Sequence, residues 1–70
     1  MKEIIFEVRE DEEVGGFNAE AIGVSIFTQG DSMDEVRRNV REATEVYFDN
    51  AEDMPRVIRL HFVHEEALAL

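Results

Sequence analysis

The chain has 70 residues, 44% of them apolar, and its 17 acidic and 7 basic residues give it a net charge of −10. Such a charge argues against binding of nucleic acid or an anionic membrane, because phosphate groups would be repelled. The absence of cysteine excludes disulfides and, with only 2 histidines, argues against a structural zinc site. Because a domain this small buries a limited core, we expect homo-oligomerisation to stabilise it.

The chain carries no signal for a membrane or for export. No stretch approaches the roughly 18 apolar residues that a membrane-spanning helix requires. The N-terminal segment MKEIIFEV mixes charges into its apolar run and lacks the pattern of a signal peptide. We therefore expect a cytoplasmic protein, with residues 1–70 forming a single domain that makes no membrane contact.

The first half of the chain predicts three strands. Residues 2–9 alternate between apolar and polar side chains, which is typical of a half-buried strand. The charged, glycine-containing segment 10–16 predicts a hairpin loop. Residues 17–22 alternate again, and residues 24–29 can form a short third strand.

The second half predicts a helix and a final strand. Ser32 suits the N-cap position, and Glu35 three residues later completes a capping box. Apolar residues then recur at spacings of three and four, as on one face of an amphipathic helix. Asn50 can end the helix in a left-handed conformation, Pro55 prevents its resumption, and residues 56–63 alternate as a strand.

The predicted order β-β-β-α-β defines an α+β domain, in which one helix packs on one face of a small antiparallel sheet. The opposite face is not cleanly polar, and its apolar side chains suggest a contact with another subunit or a partner. These candidate oligomer-contact residues are Ile5, Ile22, Val57 and Val63. The predicted core consists of Ile4, Phe6, Val8, Phe17, Ala19, Ile26, Val36, Val40, Ala43, Tyr47, Ile58, Leu60 and Phe62.

No combination of residues predicts catalysis or metal binding. Ser25 and Ser32 are possible nucleophiles, but neither has a base beside it in the sequence. His61 and His64, three residues apart, would face opposite sides of an extended strand and so do not form a chelating pair. We therefore expect a protein that is not an enzyme and has no catalytic residue, no metal and no cofactor.

Two acidic clusters supply the candidate partner-binding residues. The turn TQGD at 28–31 has one glycine and no following lysine, so it predicts a turn and a helix cap rather than a phosphate-binding loop. The acidic run in the hairpin lacks the alternating ligands of an EF-hand, which leaves a solvated loop or a contact for a basic partner. The six candidates are Asp11, Glu12, Glu13, Asp31, Asp34 and Glu35.

The segment FTQGDSMDEVRRNVREATEVYF, residues 27–48, resembles the N-terminal domain of HicB-type antitoxins. That family has a short strand followed by a TxGDT turn into a helix that carries a Glu-Ala pair. Ser32 stands where the family usually has threonine and preserves the N-cap, whereas IGVSIF replaces the family's proline-rich stretch before the turn. The matching residues are Thr28, Gln29, Gly30, Asp31, Ser32, Glu35, Glu42 and Ala43.

The resemblance implies a HicB-like fold related to double-stranded-RNA-binding domains. It also implies that the chain inhibits a small basic RNA-cleaving toxin of the HicA type by occlusion, and that it assembles as a dimer or tetramer. The DNA-binding module that many members carry has no counterpart in these residues, so we expect no direct nucleic acid binding by this chain alone. The alternative is an orphan domain of this fold that acts as an oligomeric scaffold or a small-ligand binder.

Overall fold

The computed structural model describes residues 2–49 and 51–70, and its elements occur in the predicted order β-β-β-α-β. The α+β fold class is therefore confirmed. No helix within the described ranges is long and apolar enough to cross a membrane. The elements are β1 (Glu3–Glu10), β2 (Phe17–Ala21), β3 (Phe27–Gly30), α1 (Met33–Phe48) and β4 (Val57–Val63).

The four strands form one sheet in the order β3-β2-β1-β4. β1 pairs with β2 and β2 with β3 in antiparallel fashion, but β4 runs parallel to β1. Only the direction of β4 differs from the antiparallel sheet that the sequence predicts. The cause is α1, which carries the chain from the β3 edge back across the sheet so that β4 starts at the same end as β1. A parallel pair requires such a crossover, since a tight hairpin joins only antiparallel strands.

The core lies between the sheet and α1. Alternate residues of β1, namely Ile4, Phe6 and Val8, are at most 2% exposed, and Val36 and Val40 of α1 belong to the same buried cluster. The alternation of β1 and the amphipathic pattern of α1 therefore predict the centre of the core correctly. Several other predicted core residues are partly buried against it: Phe17, Ala43, Ile58 and Leu60.

The last turn of α1 buries a different aromatic residue from the one predicted. Tyr47 is 51% exposed, whereas Phe48 is 7% exposed. The chain after α1 returns beside Thr44, where Met54 packs against the core and Pro55 is buried. This return covers the side of the helix that carries Thr44 and Phe48, so the buried face shifts away from the stripe predicted from spacing alone.

Phe62 is the second predicted core residue that is exposed. It lies on the helix-facing side of the sheet, because it pairs with the buried Val8, yet 57% of its surface is exposed. β4 is an edge strand, and α1 lies mainly over β3 and β2 towards the other edge. The end of β4 thus extends beyond the cover that the helix provides.

Both ends of α1 are capped. Ser32 Oγ accepts a hydrogen bond from the Glu35 N–H at 3.2 Å, as the capping box predicts. At the other end Asp49 adopts the left-handed conformation, with φ 48° and ψ 46°, and its N–H donates to the Glu45 carbonyl at 2.8 Å. The prediction that Asn50 takes this conformation falls on a residue outside the described ranges, and Asp49 takes it one residue earlier.

The finding that Phe48, and not Tyr47, lies in the core can be tested by substituting each residue in turn. Phe48→Ala should lower the free energy of unfolding by about 3 kcal/mol, because it removes a buried aromatic side chain and leaves a cavity. Tyr47→Ala should cost about 1 kcal/mol or less, since it loses mainly the edge-to-face contact with Phe48, whose ring centroid lies 5.0 Å away. Urea unfolding followed by circular dichroism measures both, and equal losses would contradict the assignment.

The left-handed cap predicts a stabilising substitution. Asp49→Gly should raise the free energy of unfolding by about 1 kcal/mol, because glycine adopts positive φ without strain and the change removes a carboxylate from the negative end of the helix dipole. Asp53→Gly is the matched control, since it removes the same charge from an exposed turn where φ is not positive. If Asp53→Gly raised the free energy of unfolding as much as Asp49→Gly does, the removed charge and not the left-handed cap would be the cause.

Candidate functional site

An open groove of about 500 Å³ lies where the β1–β2 hairpin loop meets the start of α1. The loop forms one wall, the first turns of α1 form the other, and β2 and β3 form the floor. The lining is mainly polar and includes three carboxylates. The lining residues are Asp11, Val14, Gly15, Phe17, Asn18, Thr28, Gln29, Gly30, Asp31, Glu35 and Asn39.

Two glycines bring the walls of the groove together. Gly16, with φ +78°, lies so close to β3 that a Cβ on it would be 2.6 Å from the Gly30 carbonyl oxygen. A Cβ on Gly30 would in turn be 2.8 Å from the backbone nitrogen of Val36 in α1. Real Cβ atoms do not approach backbone so closely, so both positions require glycine. Backbone contacts therefore set the distance between the hairpin and the helix.

Asp11 holds the hairpin loop in a defined conformation. Its Oδ1 accepts hydrogen bonds from the N–H groups of Glu13 at 3.0 Å and Val14 at 3.3 Å. Its own N–H donates to the Gly16 carbonyl and its carbonyl accepts from Gly15, both at 2.9 Å. These bonds form an Asx turn closed by backbone bonds, and they fix the Asp11 carboxylate at the rim of the groove.

The opposite wall positions two further acids. Glu35 is half-buried, and its Oε1 accepts a hydrogen bond from the Asp31 N–H at 3.3 Å. In a regular capping box this bond would go to the N–H of the N-cap residue Ser32, one position later. The Asp31 side chain itself is exposed at the turn between β3 and α1. We refer to Asp11, Asp31 and Glu35 as the groove acids.

The other three predicted partner-binding residues lie outside the groove. The Asp34 carboxylate is almost fully exposed and pairs with Arg37 at 2.9 Å. Glu12 and Glu13 line a second depression on the far side of the hairpin, which Asp11 also borders, together with Val63 and residues beyond β4. The structure thus divides the six candidates into the groove acids and the outer acids, which are Glu12, Glu13 and Asp34.

Asn39 is a groove residue that sequence reasoning did not identify. Its Nδ2 donates to the Gln29 carbonyl at 2.7 Å and so ties the middle of α1 to β3. The available signal was its low helix propensity, because asparagine in the middle of a helix is usually retained for a specific contact. The bond holds the second turn of the helix beside the groove floor.

The candidate oligomer-contact residues all lie on the sheet face away from α1, but they do not form one patch. Ile5 and Ile22 are direct neighbours, since the Ile22 N–H donates to the Ile5 carbonyl at 2.9 Å, and Val57 lies at the same end of the sheet. Val63 pairs with Arg9 at the opposite end of β1. Phe27, which the sequence analysis did not select, shares this face opposite Glu20 and is 62% exposed.

The chemical character of the groove suits recognition of positive or hydrogen-bond-donating groups. The carboxylates of the groove acids and the Thr28 hydroxyl oxygen are hydrogen-bond acceptors that line one open space. Among residues 2–49 and 51–70, no three histidine, cysteine or acidic side chains form a group that could hold a metal ion. A protein surface bearing lysine or arginine is the natural complement of such a lining.

The fold and the groove define a small acidic α+β domain with one helix on a mixed sheet. Two proteins are similar to it over most of their length, both named UPF0150 protein. One, from Thermotoga maritima, is 35% identical over 70 residues, covering 100% of this chain and 96% of the relative. The other, from Archaeoglobus fulgidus, is 41% identical over 49 residues, covering 70% of this chain and 71% of the relative.

The chain therefore belongs to the UPF0150 family. A scan of family models found no match, and no solved structure matches the chain. The names of the relatives state no activity or partner, so the resemblance to HicB-type antitoxins stays a hypothesis.

The glycine contact beneath the groove predicts a difference between neighbouring substitutions. Gly15→Ala and Gly16→Ala each place alanine at a similar positive φ, +82° and +78°, so each should cost about 1 kcal/mol of backbone strain. At position 16 alone the added Cβ would also contact neighbouring backbone. This overpacking should lower the free energy of unfolding by roughly a further 1–3 kcal/mol. Urea unfolding of both variants measures the difference, and indistinguishable midpoints would refute the contact.

Proposed function

We propose that this UPF0150 chain is a non-catalytic protein-binding module, antitoxin-like, which inhibits a small basic HicA-like mRNA-cleaving toxin by occluding its surface. The observation that carries the proposal is the convergence of the three groove acids on one open groove of a chain with a net charge of −10. None of the three enters an ion pair among residues 2–49 and 51–70. Their charges are available to a basic partner.

The groove is suited to binding because two of its three acids are held in place before a partner arrives. Asp11 is fixed by two backbone N–H donors and Glu35 by one. A site that is already ordered loses less conformational entropy on binding, so more of its interaction energy contributes to affinity. The surrounding negative potential accelerates encounter with a positively charged protein and disfavours acidic partners.

The resemblance to HicB-type domains supports the same site. The segment that resembles the family, residues 27–48, forms β3, the following turn and α1. It supplies Gly30, which the close approach to the hairpin requires, and Asp31 and Glu35, two of the three groove acids. Residues that identify the resemblance therefore also build the groove.

A small-ligand binder is the second candidate. The groove volume of about 500 Å³ falls within the range of small-molecule sites, which is about 300–1,000 Å³. The groove is nevertheless open, and its lining is mainly polar, whereas small-molecule pockets are mostly apolar. We therefore favour a protein surface as the occupant, and capture from a lysate distinguishes the two.

Two matched triple variants test the proposal. The groove variant is Asp11→Asn/Asp31→Asn/Glu35→Gln, and the control is Glu12→Gln/Glu13→Gln/Asp34→Asn. Each removes three negative charges and keeps a side-chain oxygen as an acceptor, so the caps and the Asx turn are preserved. The groove variant should weaken binding of the captured toxin by at least about tenfold and the control by less than about threefold, because charges at the contact count for more than remote ones.

The measurement begins with capture of partners by the tagged full chain from a lysate of its own cells. A small basic ribonuclease should be recovered, and its RNA cleavage should be inhibited by the wild-type chain. Binding constants for both triple variants then follow from calorimetry at physiological salt. If no basic ribonuclease is recovered, the proposed function is wrong. If the two triple variants lose the same amount of affinity, the partner is retained but the groove is rejected as its binding site.

A further inference from the structure

Strand β4 forms one edge of the sheet, and within the described part of the chain nothing pairs with its outer side. It is seven residues long, VIRLHFV, and contains no proline, lysine or β-bulge to block pairing. Natural proteins usually shorten, charge or cover such edges, because unpaired N–H and C=O groups readily pair with another strand. The other edge strand, β3, has only four residues.

The backbone groups that β4 directs outward can be assigned. Val57 donates its N–H towards β1, to the Lys2 carbonyl at 3.2 Å. Because successive residues of a strand direct their N–H and C=O groups to opposite sides, Ile58, Leu60 and Phe62 direct theirs to the open edge. An antiparallel partner would pair with these three residues.

The side-chain types along β4 occur in nearly the same order from either end of the strand. Apolar residues occupy both ends, a basic or imidazole side chain follows inward on each side, and Leu60 lies at the centre. The strand also has no acidic residue, although the whole chain carries 17. β4 is therefore an edge where two copies of this acidic protein can approach without repulsion between carboxylates.

We propose that β4 pairs antiparallel with β4 of a second copy of this chain, with Leu60 on the two-fold axis, so that two sheets become one. In this register Ile58 lies opposite Phe62, Arg59 opposite His61 and Val57 opposite Val63. Leu60 of one copy pairs with Leu60 of the other. The residues with outward-directed backbone groups face one another, as the hydrogen-bonded pairs of an antiparallel ladder require, and about six backbone bonds form.

The pairing would cover the apolar side chains that α1 leaves exposed. On the helix-facing side Phe62, 57% exposed, lies over Ile58 of the second copy, beside an open groove of about 200 Å³ between α1 and β4. On the other side Val57, 48% exposed, meets Val63. Each contact occurs twice because the interface is isologous.

The arginine of β4 is already paired within each copy. Arg59 donates through Nε and Nη2 to the Glu3 carboxylate at 3.1 and 2.8 Å. His61 lies opposite Glu7 on β1. Arg59 of one copy and His61 of the other therefore meet beside acidic side chains on both β1 strands, and the pair does not bring uncompensated positive charge together.

The inference does not rest on the proposed function, because the groove lies towards the β3 edge and β4 forms the other. Phe62→Lys should raise the dimer dissociation constant at least about tenfold, since it places two charges against Ile58 in each dimer. Phe27→Lys, a control on the other edge strand with 62% exposure, should leave it unchanged. Sedimentation equilibrium of the full chain measures both, with circular dichroism to confirm folding.

The register is tested by cysteine substitution, because the chain has no cysteine of its own. Leu60→Cys should form a covalent dimer under mild oxidation, since residue 60 faces itself at about 5.5 Å between Cα atoms, within disulfide range. His61→Cys should not, because its two copies would be about 8 Å apart in this register. A monomeric wild type, loss of the dimer on Phe27→Lys but not Phe62→Lys, or cross-linking at 61 instead of 60 would each overturn the inference.

Discussion

The structure depends on one close approach of backbone, where the end of the hairpin meets the end of β3 and the start of α1. Gly16 touches Gly30, and Gly30 touches the helix at Val36. No side chain intervenes, so the position of the hairpin relative to α1 does not depend on rotamers. The closeness of the two groove walls follows from this contact. A larger residue at either glycine would separate the elements that carry the groove acids.

Charged side chains are distributed unevenly around this glycine contact. The ion pairs among the described residues involve Arg9, Arg37 and Arg59, on the sheet and the outer side of α1. These pairs are exposed and contribute little to stability. These pairs involve acids away from the groove, whereas none of the groove acids enters an ion pair among the described residues and β4 contains no acid. The two proposed contacts, the groove and β4, would therefore use separate surfaces of the chain.

The strands and the helix were predictable because their sequence signals lie within a few neighbouring residues. Alternation identifies β1, and the Ser32–Glu35 capping box identifies the start of α1. Features that depend on distant segments were not predictable. Phe48 replaces Tyr47 in the core because residues 51–56 return along the helix, and β4 lies parallel to β1 because of the crossover. The acidic clusters were visible, but only the turn within the loop decides that Asp11 lines the groove and Glu12 does not.

Pairing through β4 and binding in the groove would reinforce each other. Two chains joined at β4 keep their β3 edges at opposite ends of the combined sheet, so both grooves stay accessible. A partner that is itself dimeric, or a basic surface with two contact points, could then engage both grooves at once. The second contact would be intramolecular, so its affinity would depend on the span between grooves and not on free concentration. Whether β4 is paired with a second copy would thus govern avidity, although no residue of β4 lines the groove.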